Sequence, residues 1–338
     1  MLLVIFIHVS AEAVTGYIRS SAPFWILCSA QRLASFVVQG FLFLSGLKLF
    51  LGGQNAGRDD FSYPRFLWSR VRRVVLPYLL VFSVFYLYFI LTGRITPSPA
   101  HFFTECFTGG LTAHFYFVAI ICQFYLLPPL WRLIVRKADP VLTLLVSLFV
   151  MLILRTYLPE LCRVLFGYEL TLNSRIFTTY LFYFIAGCYA GTYYRAFTRF
   201  LLRRCREIWV LTAVAGAIDC VLICVIENRL YYPYWADTFH VLYCILAILT
   251  VLSLALRFRE KDWMTSKLMM LADRASYNVY LIHPLFLFLS ISLLNRAGIT
   301  SLTVRFLCEA VFTYLFSLGL CLGWEAFKLR LKHPTERI

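Results

Sequence analysis

Long apolar runs separated by short polar connections make up nearly the whole chain. A helix needs about 20 apolar residues to cross the hydrocarbon core of a bilayer. Runs near that length lie at 1–17, 29–51, 74–92, 112–132, 140–158, 176–196, 207–226, 235–256, 275–295 and 302–327. The pattern predicts an all-α polytopic integral membrane protein with about ten transmembrane helices. The longest polar interruption is 52–73 (GGQNAGRDDFSYPRFLWSRVRR), and nothing resembles a separate soluble domain or an internal repeat. The first run opens at Met1 without a basic flank and reaches Ser10 and Glu12 quickly. A signal peptide would carry a positive start and a small-residue cleavage site. The expectation is instead a first helix truncated at its N-terminus.

Composition strengthens the membrane reading. Hydrophobic residues make up 61% and charged residues 14% of the chain, with mean hydropathy +0.76. A soluble domain carries roughly 25% charged residues. The net charge of +15 would suggest nucleic acid in a soluble protein. Here the cations fall in short loops, so they read as topology signals and no nucleic-acid partner is expected. With the start of the first helix cytoplasmic, 23 of the 32 Lys and Arg residues fall inside, among them Lys48, Arg58, Arg65, Arg136 and Arg337. Arg19, Arg94 and Arg229 fall outside. Both termini are then cytoplasmic. The eleven cysteines are scattered, mostly within apolar runs, with no paired CxxC and no metal-like spacing. They read as small apolar residues, and no metal is expected. Cys28, Cys106 and Cys162 fall in loops placed outside, where a disulfide remains open.

Ionisable residues at membrane depth are costly and so become functional candidates. His8 and Glu12 are spaced i, i+4 on one helix face, where a carboxylate can hold an imidazole in one tautomer. A helix–helix hydrogen bond and an interfacial Glu account for them equally well. Ser276, Tyr280 and His283 form a stripe on a helix running in the same direction as the first. His283 lies at about the depth of His8, so two histidines could face one cavity. The simpler account is a helix–helix hydrogen bond, with Pro284 kinking the backbone. His114 reads as part of an aromatic belt, Asp219 and His240 as interhelical contacts, and Arg305 and Glu309 as an i, i+4 pair. Arg70, Arg72 and Arg73 are either topology anchors or a site for a polyanionic cytosolic ligand, since guanidinium groups bind phosphate bidentately.

Six short motifs in order then resemble the acyltransferase family 3 membrane proteins of bacteria. VIFIHVS resembles the family's first helix with its histidine, and QGFLFLSG its second-helix Ser-Gly motif. RFLWSRVRRVVLPYL holds an Arg-x-x-Arg, Arg70 and Arg73. HFYFVAIICQFYLLPPL resembles the fourth helix and FYFIAGCYAG the sixth. ASYNVYLIHP is similar to the family's Ser-Tyr-x-x-Tyr-Leu-x-His. The resemblance implies one acyltransferase domain over 1–338 in the bacterial cytoplasmic membrane. It implies transfer of an acyl group, often acetyl, from cytosolic acyl-CoA to a hydroxyl of an exported or lipid-linked glycan. His8 would act as general base or acyl carrier, Arg70 and Arg73 would hold the CoA phosphates, and His283, Tyr280 and Ser276 would orient the acyl carbonyl or the base. The family's arginine, eleven positions before its histidine, would fall four residues ahead of Met1. Glu12 lies outside the family motif and rests on spacing alone. The competing class is a polysaccharide exporter or other transporter, for which inverted repeats and broken-helix pairs would be the sign; neither is visible.

Overall fold

The computed structural model describes residues 1–51, 61–167, 172–228, 233, 235–259 and 261–332. Arg58, Arg229 and Arg337 of the loop-charge reading lie outside the described residues. Regular structure among the described residues is entirely helical. In chain order the helices are α1 (Leu2–Gly16), α2 (Ala22–Ala34), α3 (Val37–Phe50), α4 (Tyr63–Arg70), α5 (Leu76–Leu91), α6 (Pro99–Thr108), α7 (Tyr116–Tyr125) and α8 (Pro128–Lys137). There follow α9 (Pro140–Phe166), α10 (Leu181–Thr192), α11 (Tyr194–Arg203), α12 (Cys205–Glu227), α13 (Ala236–Phe258), α14 (Asp262–Thr265), α15 (Lys267–Arg296) and α16 (Leu302–Lys332).

Seven helical stretches among the described residues are long and apolar enough to cross a membrane, or eight if α7 and α8, bent by 60°, count as one. The other two apolar runs of the sequence form helices of 15 residues (α1) and 12 residues (α10). The 176–196 run is shortened because Asn173–Arg175 and Phe177–Tyr180 wind as 3₁₀ turns before α10 begins. Lipid-facing surface is plain on α9, where Val141, Leu142, Leu145, Phe149 and Val164 are all exposed. Water would not tolerate such a helix. Local signals set its start: Asp139 Oδ1 accepts from the Leu142 amide at 2.8 Å, and Pro140 occupies the first turn.

The chain divides into two compact units, one of Met1–Val37 with Leu201–Ile338, the other of Val38–Phe200. In the first, α15 and α16 form an antiparallel pair, α1 lies against α2, α15 and α16, and α12 packs on α2 and α13. Its core beside α1 joins Ile5 and Val9 to Ala275, Val279, Leu287 and Cys321. In the second, the core centres on Phe124, Phe184 and Trp131, with Phe124 and Phe184 stacked at 4.2 Å. Gly46 and Gly187 let α3 and α10 touch backbone to backbone. A Cβ on Gly187 would stand 2.0 Å from Phe43 O, and one on Gly46 2.3 Å from Phe184 O. Small residues allow this close approach between membrane helices, where packing replaces the hydrophobic effect as the driving force.

Prolines leave a signature in this unit. Pro128 has no amide hydrogen for Phe124 O; the Trp131 indole N–H donates to that oxygen at 2.9 Å, beside the Leu127 amide at 3.3 Å. Pro159, inside α9, likewise releases Arg155 O, which accepts from Asn173 Nδ2 at 2.9 Å. All eleven cysteines are free thiols, including Cys28, Cys106 and Cys162. His114 is buried beside the Phe85 and Phe115 rings, with Nδ1 2.9 Å from Thr112 Oγ1.

Candidate active site

α1 is pinned around its polar face. Ser10, fully buried, bonds Phe6 O at 2.6 Å. Gln31 of α2 donates to Ser10 Oγ at 2.8 Å and to Ile7 O at 3.2 Å. Tyr314 of α16 donates to Leu2 O at 2.7 Å. His8 therefore sits on a helix held on both sides.

The structure brings the two membrane histidines together. The His8 and His283 ring centroids are 5.3 Å apart and tilted by 47°. His283 is 0% exposed. Its Nδ1 lies 2.8 Å from Tyr280 O and 3.3 Å from Val279 O. A carbonyl oxygen only accepts, so Nδ1 carries the hydrogen and Nε2 presents its lone pair. Pro284 is the local cause. Its missing amide hydrogen would have bonded Tyr280 O, four residues back, so the ring of His283 takes that acceptor. The His-Pro dipeptide thus sets the tautomer.

Tyr280 is buried beside this pair, its ring 6.3 Å from that of His283. Ser276 lies two turns away and donates to Asp273 O at 2.7 Å. Glu12 is bound elsewhere: its Oε1 accepts from Arg305 Nε at 2.8 Å and Nη2 at 2.7 Å. Arg305 Nη1 donates to Asn295 Oδ1 at 2.8 Å and Ile299 O at 3.2 Å. The same guanidinium stands 3.6 Å from Glu309, whose side chain is 1% exposed and whose Oε1 has no hydrogen-bond partner. One cation therefore serves two carboxylates. Below Glu309 on α16, Thr313 and Ser317 continue a polar stripe at i+4 and i+8, both 0% exposed, and Thr313 Oγ1 has no hydrogen-bond partner. Arg305 with Glu309 reads from the sequence as a self-contained pair. The period-four run of Arg, Glu, Thr and Ser on an otherwise apolar helix is the signal that marks this face as polar.

Arg70 and Arg73 belong to the second unit. Residues Val71–Val75 form a π-helical turn between α4 and α5, with the Leu76 amide donating to Val71 O. Such turns change the phase of the side chains that follow. Arg70 is half-buried, its guanidinium 4.8 Å from both the Phe66 and Tyr125 rings. Arg73 is exposed. Arg132 lies 4.9 Å over Phe61, which packs 5.5 Å from Phe66. Arg70 and Arg132 thus flank an aromatic pair, held flat by cation–π contact. Arg132 escapes sequence reasoning because it counts there only as a loop charge. Among the described residues no group of three or more His, Cys, Asp or Glu side chains is placed to hold a metal.

Lipid-exposed apolar helices around buried polar clusters define a multi-pass membrane protein with an opposed histidine pair. The family model described as an acyltransferase domain, acyltransferase family 3, matches residues 1–323, and the chain belongs to that family. It is a membrane acyltransferase. No curated protein and no solved structure matches the chain.

Proposed function

We propose that the protein transfers an acyl group, acetyl in the first instance, from cytosolic acyl-CoA to a hydroxyl of an extracytoplasmic or lipid-linked glycan. The reading places it in the bacterial cytoplasmic membrane with both termini and the basic loops on the cytosolic side. The observation that carries it is the His8–His283 pair, two imidazoles 5.3 Å apart with the tautomer of one fixed. His8 removes the proton from the acceptor hydroxyl as that oxygen attacks the acyl carbonyl, and passes it to the group that leaves. His283 Nε2 and Tyr280 orient the base or the acyl group. Ser276, bonded to its own helix, contributes least. Arg70 and Arg73 bind the CoA phosphates. Arg70 offers a flat guanidinium edge suited to bidentate contact. Glu12 acts through Arg305, fixing α1 against α16.

The test is purified protein with labelled acetyl-CoA and a panel of glycans. His8→Ala should lower transfer by ~10²–10⁴-fold, the usual effect of removing a general base. Full transfer by a normally inserted His8→Ala protein overturns the assignment. Glycan flux across vesicles without thioester consumption identifies an exporter instead.

A further inference from the structure

A second constellation in the first unit lies where α2, α12 and α13 meet. Asp219 of α12 is 0% exposed. Arg32 of α2 holds its carboxylate with Nε 3.1 Å from Oδ2 and 3.2 Å from Oδ1, and with Nη2 3.1 Å from Oδ1. Asp219 Oδ2 also lies 2.6 Å from Nδ1 of His240 on α13. The other ring nitrogen, Nε2, lies 2.7 Å from Ser35 Oγ. A carboxylate committed to an ion pair only accepts, so Nδ1 carries a hydrogen; in the neutral ring Nε2 then faces Ser35 with its lone pair, and Cys244 Sγ stands 3.4 Å from the same nitrogen. The order is hydroxyl, imidazole, carboxylate, each within hydrogen-bond reach of the next. That is the geometry by which a serine nucleophile is recognised on any fold.

The backbone places Ser35 for this task. It caps the C-terminus of α2 at the break before α3, and it is partly exposed. Its hydroxyl also lies 2.8 Å from Arg32 O, the alternative resting acceptor. Ser35 is residue 14 of the 29 in the candidate span Ala22–Phe50, close to its midpoint. Gln31, one turn earlier on the same face of α2, bonds Ile7 O, the carbonyl just before His8. One face of one helix therefore presents Ser35 and fixes the turn that carries His8.

We propose that Ser35 is a nucleophile that carries the acyl group covalently, activated by His240 and Asp219, with Arg32 fixing the carboxylate. The identity of the donor rests on the acyl-CoA reading above. Ser35 Oγ attacks the thioester carbonyl and passes its proton to His240 Nε2. The C–S bond breaks, and the departing sulfur takes that proton to leave as free CoA thiol. The acceptor hydroxyl, its proton taken by His8, then attacks the seryl ester. The ester C–O bond breaks, and that same proton is returned to Ser35 Oγ by way of His240 Nε2. A carrier near the middle of the span suits a donor and an acceptor on opposite faces.

The experiment treats purified full-length protein with a fluorophosphonate–biotin probe and, separately, with [¹⁴C]acetyl-CoA, mapping both labels by peptide mass spectrometry. Both should map to Ser35. Ser35→Ala should abolish them, and His240→Gln should slow them by ~10²-fold or more, as loss of a general base does. Ser35→Cys guards against a variant that fails to fold, because its acetyl adduct is a thioester released by hydroxylamine at neutral pH. Phosphonylation of Ser35 without acetylation supports the activated serine and removes acyl-CoA as its donor. Absence of both labels from Ser35 in folded protein, or wild-type acetyl transfer by folded Ser35→Ala, overturns the proposal.

Discussion

Pro284→Ala should raise the stability of the protein while lowering its acyl transfer. Proline in a helix interior is less favourable than alanine by about 3 kcal/mol. The substitution also removes two ring carbons from a buried site, at most about 1.6 kcal/mol at roughly 0.8 per methylene. The difference leaves the variant more stable by about 1 kcal/mol. The restored amide at 284 competes for Tyr280 O, the acceptor that now holds His283 Nδ1 at 2.8 Å. A carbonyl has two lone pairs, so the ring is loosened without being expelled. A neutral hydrogen bond is worth about 1 kcal/mol, so its loss corresponds to about fivefold in rate. Thermal unfolding in detergent reads the first effect and transfer from labelled acetyl-CoA the second. Repeating the substitution on a His283→Ala background should cost nothing further, which separates orientation of the ring from general damage. An unchanged rate in the stabilised variant, or a fall in stability and rate together, refutes the reasoning.

Arg305→Met should destabilise the protein by about 3–5 kcal/mol, because Glu309 is left buried without its cation. A second change, Glu309→Gln, should recover most of that loss in denaturant unfolding; Glu12, partly exposed, contributes little. Arg70→Ala should raise KM for acyl-CoA about tenfold, worth about 1.4 kcal/mol of binding, and Arg70→Lys should rescue poorly because an ammonium cannot stack between Phe66 and Tyr125. Equal KM values across that series would reduce Arg70 to a topology charge. Gly187→Ala should cost about 1–3 kcal/mol in thermal unfolding, the usual range for overpacking. Gly319→Ala, where a Cβ meets nothing within 4 Å, should be neutral or stabilising.

What the sequence revealed, and what it hid, follows from the range of each interaction. Hydropathy found the apolar runs, but it cannot separate a spanning helix from the 3₁₀ turns and 12-residue α10 within 176–196. Helical spacing put Ser276, Tyr280 and His283 on one stripe, and matched depth put His8 near His283; the rings do meet. Spacing failed for Glu12. The i, i+4 rule sees only its own helix and offered His8 as partner, whereas the carboxylate is bound by Arg305, 293 residues away. The same locality hid Ser35, whose partner His240 lies 205 residues along the chain. The Ser-Gly motif of QGFLFLSG and the FYFIAGCYAG segment were legible only as resemblances. The backbone contact of Gly46 with Phe184 and of Gly187 with Phe43 gives the physical reason for each glycine.

Three prolines show how a membrane fold turns a defect into a placement. Hydrocarbon offers no water, so a carbonyl released by proline must find a donor within the protein. Phe124 O, released by Pro128, takes the indole of Trp131. Arg155 O, released by Pro159, takes the amide of Asn173. Tyr280 O, released by Pro284, takes the imidazole of His283. The first two donors have no proton to exchange near neutral pH, so they end as fastenings for a bend and a turn. Histidine differs because it has a second nitrogen. Committing Nδ1 to the carbonyl leaves Nε2 as the basic atom, in a ring 5.3 Å from His8. The helix therefore solves its own backbone problem and, with the same bond, fixes the tautomer and orientation of the imidazole. That is why the proline belongs beside the histidine and not elsewhere in α15.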